Sequence, residues 1–228
     1  MNQQPLFVLF FFLLIIALFS CSDSGTAVTE NKTVEILPLA IGNQWIYSVQ
    51  PYDVNGTFYS PWEGGRTVLS DTMIDGEKWF TWDSINVHFW INRSDGLYLY
   101  PATWNDGSSV QKAKQLYYKY PGKVGDAPPY LHTKYSDHSA YDTYEIISTD
   151  SLFTTPAGDF HCYVYEFYTY TEDLATHTKT KDISKYKYFY FYAPGVGLVG
   201  WDNYSTNPTT KEFYLSEHTV LKKYTLAK

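Results

Sequence analysis

The chain has 228 residues, of which 19% are aromatic and 18% charged, with a formal net charge of −7. The aromatic share supplies enough apolar surface for a core, so composition excludes an intrinsically disordered chain. The negative charge and the scattered Lys and Arg argue against nucleic acid as a partner, because such a chain repels phosphate backbones.

An apolar leader comes first. Residues 6–19 (LFVLFFFLLIIALF) are uncharged, too short for a comfortable membrane span and of the right length for a signal-peptide core. Residues 18–21 (LFSC) resemble the bacterial lipobox, which implies diacylglyceryl transfer to the Cys21 sulfur and cleavage before it. Residues 1–5 carry no Lys or Arg, so a plain signal peptide or an uncleaved anchor remains the alternative.

These features predict three segments. Residues 1–20 are a lipoprotein signal peptide, residues 21–33 a flexible polar tether, and residues 34–228 a single antiparallel β domain. The partner of the N-terminus is then a membrane, reached through a diacylglyceryl-cysteine. The predicted location is the cell envelope, at the outer membrane, with the periplasmic or surface face left open.

The sequence contains two cysteines, Cys21 and Cys162. A lipidated Cys21 cannot form a disulfide, so Cys162 is left alone. In an extended chain Cys162 shares a face with Phe160 and Val164, which predicts a small buried residue. A nucleophilic thiol is the alternative, but His161 points to the opposite face and is badly placed to activate it.

Strand patterns dominate the rest of the chain. Trp45, Tyr47 and Val49 alternate in a first strand, and Asp75-Gly76 predicts a type I′ hairpin. Between residues 101 and 141 the pattern weakens to one strand at 115–120 and a Pro/Gly-rich loop. Further strands are predicted at 144–148, 151–155 and 159–170, followed by a solvated loop at 171–181.

The most strand-like stretch is residues 185–202 (KYKYFYFYAPGVGLVGWD). Its tyrosines fall on one face of an extended chain, while Phe189 and Phe191 fall on the other. Pro194-Gly195 breaks the run, which predicts a hairpin at the centre of a sheet. Residues 212–226 close the domain as a strand, with a short helix as the alternative.

About ten strands with regular turn signals predict an all-β fold. We expect an antiparallel meander that forms a barrel or an open half-barrel, with a sandwich as the further alternative.

Three blocks carry a family resemblance: PLAIGNQWIY at 38–47, TTPAGDFHCYVYE at 154–166 and FYAPGVGLV at 191–199. They resemble the TapB-like group of largely uncharacterised bacterial lipoproteins, which is frequent in Bacteroidota. The resemblance implies an incompletely closed antiparallel barrel, like that of periplasmic lipoprotein carriers, which hold acyl chains in an apolar concavity. It implies no residue roles.

Enzyme motifs are weak. Residues 195–200 spell G-x-G-x-x-G, but no helix can open after them to hold a pyrophosphate, so no nucleotide cofactor is predicted. Other acidic and His residues match no compact metal or catalytic motif, and we expect solvated side chains there and a non-catalytic protein without metal. These residues are Asp71, Asp75, Glu77, His132, Asp137, His138 and Asp142.

Two functions from different classes remain. The first is a binding module for an apolar ligand or lipid, lined by aromatic residues that could cover a concave sheet: Trp45, Tyr47, Phe89, Trp90, Phe189 and Phe191. The second is an interaction protein that binds glycan or protein through loop aromatics: Tyr52, Tyr59, Trp62, Trp104 and Tyr130. The competing explanation for the first set is that it packs in the core, and for the second set that its loop aromatics fold back onto the domain.

Overall fold

The structure is a computed structural model that describes residues 34–82, 88–105, 110–182 and 186–227, with the backbone alone for 102–105 and 110–111. The predicted signal peptide, Cys21 and the tether lie outside these residues. The chain divides into two units, Met1–Lys32 and Thr33–Lys228, and all that follows concerns the second. Across the described ranges, no helix has the length and apolar character needed to traverse a bilayer.

The described residues form fourteen strands in one sheet. In chain order they are β1 (Gln44–Pro51), β2 (Trp62–Thr67), β3 (Ser70–Ile74), β4 (Glu77–Thr81), β5 (Phe89–Arg93), β6 (Gly96–Asn105), β7 (Val110–Lys119), β8 (Pro129–Lys134), β9 (His138–Thr155), β10 (Gly158–Asp173), β11 (Lys179–Asp182), β12 (Tyr186–Ala193), β13 (Gly197–Thr206) and β14 (Phe213–Thr225).

The strand order is β2-β1-β14-β13-β12-β10-β9-β8-β6-β5-β4-β3, with β11 beside β10 and β7 beside β6. Neighbours pair antiparallel, except for a single parallel pair between Asn105 of β6 and Thr133 of β8. The predicted all-β, antiparallel fold is confirmed. The chain does not run as a simple meander throughout, because the first and last strands, β1 and β14, lie side by side.

The two ends of the sheet, β2 and β3, are joined by Val68 and Leu69 alone. Val68 is buried, and its backbone N–H and C=O bond to Asn43 and Gly42 at the entry to β1. The edges of the sheet are therefore tied together at one point without pairing as strands. This arrangement is the open half-barrel that the strand pattern predicted.

Local turn chemistry was predicted correctly. Asp75 and Gly76 have φ angles of 51° and 81°, as a type I′ hairpin requires, and they join β3 to β4. Gly195 has φ of 79° in the turn between β12 and β13, which pair as the predicted central hairpin. β14 confirms the closing strand over the helix alternative.

Predictions for the polar segments were partly wrong. The strands predicted at 144–148 and 151–155 are one strand, β9, of 18 residues. The weak region 101–141 contains β7 and β8, and the predicted loop 171–181 contains the end of β10 and the start of β11. Pairing with β10 explains the length of β9. The partner strand holds polar residues of β9, such as Ser139 and Thr143, in extended and buried positions.

One face of the sheet, which we call the inner face, carries the main core. In the pairing register, Thr219, Trp201, Tyr190 and Tyr165 lie directly opposite one another across β14, β13, β12 and β10, so they share this face. Rings from distant strands also meet on it. The Tyr118 ring of β7 lies 4.6 Å from the Tyr192 ring of β12, so the sheet curves around its inner face.

Aromatic packing also occurs on the opposite, outer face. The end of the β9–β10 hairpin folds over the sheet, where Phe153 stacks on Phe191 with ring centroids 4.1 Å apart. The Ala157 N–H donates to the Leu221 carbonyl. Gly200 makes room for the Phe153 ring, because a Cβ at residue 200 would lie 2.5 Å from both Phe153 Cε1 and the Thr219 carbonyl oxygen.

Gly200→Ala should therefore destabilise the domain by roughly 1–3 kcal/mol, since the added methyl meets backbone as well as a ring. The measurement is chemical denaturation. Gly65→Ala is the control, because a Cβ there meets Ile46 Cδ1 at 3.2 Å and Trp45 O at 3.5 Å, and should cost less. Equal stability of the two variants would contradict the packing assigned to Phe153.

Candidate functional site

The edge strand β2 carries a Trp and an Arg on the inner face. Trp62, Gly64 and Arg66 lie opposite Val49, Tyr47 and Trp45 of β1 in the register. Gly64 leaves room for the Trp62 ring, since a Cβ there would lie 2.9 Å from Trp62 Cζ3. The Trp62 side chain is nevertheless 55% exposed, so β2 presents an aromatic surface at the opening of the half-barrel.

A series of rings continues from β2 around the inner face. The Arg66 guanidinium carbon lies 4.7 Å from the centre of the Trp82 ring and 5.9 Å from that of Trp201. Trp82 packs edge-on against Trp90 at 5.9 Å, and Trp90 packs against Tyr117 at 5.4 Å.

The same series returns to its start. Tyr117 contacts Tyr144 at 4.5 Å, and Tyr144 contacts Tyr190 at 5.7 Å. Tyr190 lies opposite Trp201 in the register of β12 and β13. We call this set the aromatic rim, and its members are Arg66, Trp82, Trp90, Tyr117, Tyr144, Tyr190 and Trp201.

Fully buried rings form the floor beneath the rim. Trp45 Nε1 donates to the Val196 carbonyl at 2.7 Å, and the Tyr47 hydroxyl donates to the Leu198 carbonyl at 3.0 Å. The Tyr47 ring lies 5.1 Å from that of Trp201, which joins floor to rim. Because the floor is packed, a ligand on this face would lie against the half-buried members of the rim, such as Trp90, Tyr190 and Trp201, rather than replace the floor.

Polar groups lie between the rings. Glu217 Oε1 accepts hydrogen bonds from Trp201 Nε1 at 2.7 Å and from Asn203 Nδ2 at 3.0 Å. The hydroxyls of Tyr117 and Tyr144 are 2.7 Å apart and bond to each other. Within the described residues, Asn203 Oδ1 and Trp82 Nε1 are buried without a hydrogen-bond partner. These atoms have unused hydrogen-bonding capacity, which is costly unless a ligand or water satisfies it.

The phenols of the rim are neutral at physiological pH. Burial raises the pKa of Tyr190 to about 12, and burial likewise raises the pKa of Tyr117 and of Tyr144. Arg66 acts in the opposite direction and lowers the pKa of Tyr190. The rim therefore combines uncharged aromatic rings with one guanidinium cation.

The six residues predicted to bind an apolar ligand do not share one surface. Trp45 and Tyr47 belong to the floor and Trp90 to the rim. Phe89 is the strand neighbour of Trp90 and faces the other side of the sheet. The remaining two residues lie on the outer face, where Phe189 packs on Tyr204 at 5.7 Å and Phe191 packs on Phe153.

Several rim residues were missed from the sequence. The alternating tyrosines of β12 were a usable signal for Tyr190, since they fall on the face opposite to Phe189 and Phe191. Arg66 and Trp82 gave no local signal, because only the long-range pairing of β2 with β1 brings Arg66 to this face.

The loop aromatics predicted for the second function are dispersed. Tyr52 packs on Phe58 at 5.7 Å, Tyr59 is exposed, and Tyr130 packs on the Tyr117 ring of the rim at 5.7 Å. Trp62 lies beside the rim on β2. The Trp104 side chain lies outside the described residues.

The other polar residues singled out in the sequence lie in close side-chain pairs, three with Lys or Arg and two between His and Asp. Asp71 pairs with Lys78 at 3.2 Å, Asp75 with Lys114 at 2.9 Å, Glu77 with Arg93 at 2.6 Å, His132 with Asp142 at 3.4 Å and His138 with Asp137 at 2.7 Å. The hydrogen bond from Arg93 lowers the pKa of Glu77. Over the ranges that the structure describes, no three His, Cys, Asp or Glu side chains converge where they could hold a metal ion.

Residues 195–200 adopt a turn and a strand. β13 begins at Gly197 and continues to Thr206, so no helix N-terminus follows the G-x-G-x-x-G spelling. This agrees with the interpretation of the segment as sheet rather than as a dinucleotide site.

Comparison with known proteins shows remote likeness only. No family model and no curated protein matches the chain. One similar solved structure is described as a "putative lipoprotein" from Parabacteroides distasonis, with 15% identity over 85% of this chain and 99% of that chain, and a TM-score of 0.45. Another is described as a "putative exported protein with YmcC-like fold" from Bacteroides fragilis, with 15% identity over 83% of this chain and 98% of that chain, and a TM-score of 0.40. The TapB-like resemblance stays a prediction.

Cys162 has the environment of a structural residue. It is fully buried, and burial raises the pKa of its thiol to about 12. The neighbouring His161 is exposed on the other face and pairs with Asp150 at 2.6 Å. The prediction of a small buried residue is confirmed.

Cys162 should therefore resist alkylation in the folded protein. At about pH 8 the buried thiol is protonated, and iodoacetamide reacts with the thiolate. In a Cys21→Ser variant, mass spectrometry should find no adduct in native buffer and one adduct per chain in guanidinium chloride. Rapid labelling of the native protein would show that the thiol is accessible and reactive.

Proposed function

We propose that this chain is a lipid-anchored, non-catalytic protein of the cell envelope that binds an apolar ligand on its inner face. The observation that carries the binding proposal is the aromatic rim. Half-buried rings such as Trp90, Tyr190 and Trp201 surround a packed floor on the curved side of the sheet. A concave surface of apolar rings with a few polar atoms is what small apolar ligands bind.

The anchoring proposal is supported by the N-terminal sequence. An apolar leader precedes Leu-Phe-Ser-Cys at 18–21, and the polar residues 22–33 that follow can act as a spacer. Cys21 would become the first residue of the mature protein and would carry the lipid. The tether would then hold the binding domain away from the outer membrane.

Labelled palmitate should be incorporated into the wild-type protein and not into Cys21→Ser, because the thioether forms at that sulfur. The measurement is labelling in cells followed by immunoprecipitation. Fractionation should place the labelled protein with the outer membrane. Equal label in the Cys21→Ser protein would contradict the anchoring proposal.

Ligand capture should depend on the inner face and not on the outer face. Tyr190 and Phe189 are adjacent in β12 but lie on opposite faces, so they form a matched pair. After incubation of the delipidated protein with membrane extract, native mass spectrometry should show a bound ligand. Tyr190→Ala should reduce its occupancy about tenfold, whereas Phe189→Ala should not.

Thermal unfolding of both variants separates lost binding from lost folding. A wild-type protein without bound ligand, or equal loss of ligand in the two variants, would contradict binding on the inner face.

Glycan binding is the second candidate function, because the exposed Trp62 ring beside the rim offers a flat surface on which a sugar can stack. If glycans from the same extract are retained and Trp62→Ala releases them, this second function is the correct one.

A further inference from the structure

The geometry of Arg66 points to a ligand with a negative charge. We infer that the bound molecule is an amphiphile whose anionic group, a carboxylate or a phosphate, pairs with the Arg66 guanidinium while its apolar part lies along the aromatic rim. This inference rests on the proposed binding of an apolar ligand and specifies the chemistry of that ligand.

The guanidinium is held in place by two indole rings. Its central carbon lies 4.7 Å from the Trp82 ring centre and 5.9 Å from the Trp201 ring centre. A guanidinium interacts with aromatic faces through its own plane, and its N–H donors lie in that plane. Contacts with ring faces therefore position Arg66 without consuming its hydrogen-bond donors.

The two arginines of the chain, Arg66 and Arg93, differ in their carboxylate partners. Arg93 makes a two-point contact with Glu77, with Nε to Oε1 at 3.1 Å and Nη2 to Oε2 at 2.6 Å. No carboxylate of the described residues pairs with Arg66. A half-buried Arg whose donors bond to no side chain within the described ranges is suited to bidentate binding of a carboxylate or phosphate.

The carboxylate of Glu217, which lies between the rings of the rim, is bonded to other groups. Glu217 Oε1 accepts from Trp201 Nε1 and Asn203 Nδ2, which are neutral donors. At Tyr190 the effect of Arg66, which lowers the pKa, exceeds that of Glu217, which raises it. Arg66 and Glu217 thus act on the pKa of Tyr190 in opposite directions.

The charge of Arg66 also affects the buried phenols of Tyr47 and Tyr192 beneath the rim. Burial raises the pKa of Tyr192 and of Tyr47, and Arg66 lowers both in opposition. An anionic group beside Arg66 would thus lie close to the apolar surface formed by these rings and the rim. The arrangement sets one cation, Arg66, against an aromatic surface whose carboxylate, Glu217, is bonded to neutral donors, and this matches an amphiphile with a single anionic head.

The test compares two probes of equal chain length, laurate and 1-dodecanol, which differ in the charge of the head. Residues 21–228 with Cys21→Ser are used, since Thr33–Lys228 forms a unit of its own and no anchor then competes. Isothermal titration calorimetry near pH 8 should give laurate an affinity at least about tenfold higher than dodecanol. Dodecyl phosphate, as a third probe, distinguishes phosphate from carboxylate preference.

Arg66→Gln should abolish the preference for laurate over dodecanol, so that the affinities for the two probes agree within about threefold. Arg93→Gln is the matched control and should keep the preference, because Arg93 is paired with Glu77. Arg66→Lys retains the charge and should keep part of the preference. If Arg66→Gln does not fold, the preference for laurate is compared between the wild-type protein and Arg66→Lys instead.

The outcomes separate the two proposals. If the wild-type protein binds both probes equally, the anionic head is wrong and the apolar site stands. If it binds none of the three probes, the apolar site itself is wrong. A preference for laurate that persists in Arg66→Gln would overturn the role of Arg66.

Discussion

Two buried side-chain hydrogen bonds join the start of the domain to its central hairpin across a separation of 151 residues. Trp45 and Tyr47 of β1 donate to the carbonyls of Val196 and Leu198, at the turn between β12 and β13. Both donors are fully buried and could not be left unpaired without a penalty of about 1–3 kcal/mol each. These bonds fix the floor, and two rings of the rim pack directly on it, Trp82 against Trp45 and Trp201 against Tyr47.

The large number of tyrosines suits a sheet that does not close. A tyrosine can bury its ring and still bond its hydroxyl to a backbone carbonyl or to another hydroxyl. Tyr165 donates to the Lys119 carbonyl, and Tyr117 bonds to Tyr144. Leucine or valine in these places would fill space but would leave such contacts unmade. The tyrosine-rich core therefore joins distant strands by polar bonds as well as by packing.

Local sequence patterns predicted the fold class, the Asp75-Gly76 hairpin and the central hairpin, because turn residues and alternation act over a few neighbours. They did not predict the extent of β9 and β10, whose pairing holds polar residues in extended conformation. The site was harder still. Alternation separated Tyr190 from Phe189, but the meeting of Arg66 with Trp82 and Trp201 depends on three separate segments, and no spacing within any of them indicates it.

The order of the strands has one consequence for the site. β2 ends the sheet and is bonded to β1 alone, while its own end is tied at Val68 to the entry of β1. Backbone bonded on one side opens at a lower free energy than backbone bonded on both. The segment that presents Trp62 and Arg66 is thus paired on one side only and tied at Val68, so it can open locally without breaking the pairing of the strands that carry the floor.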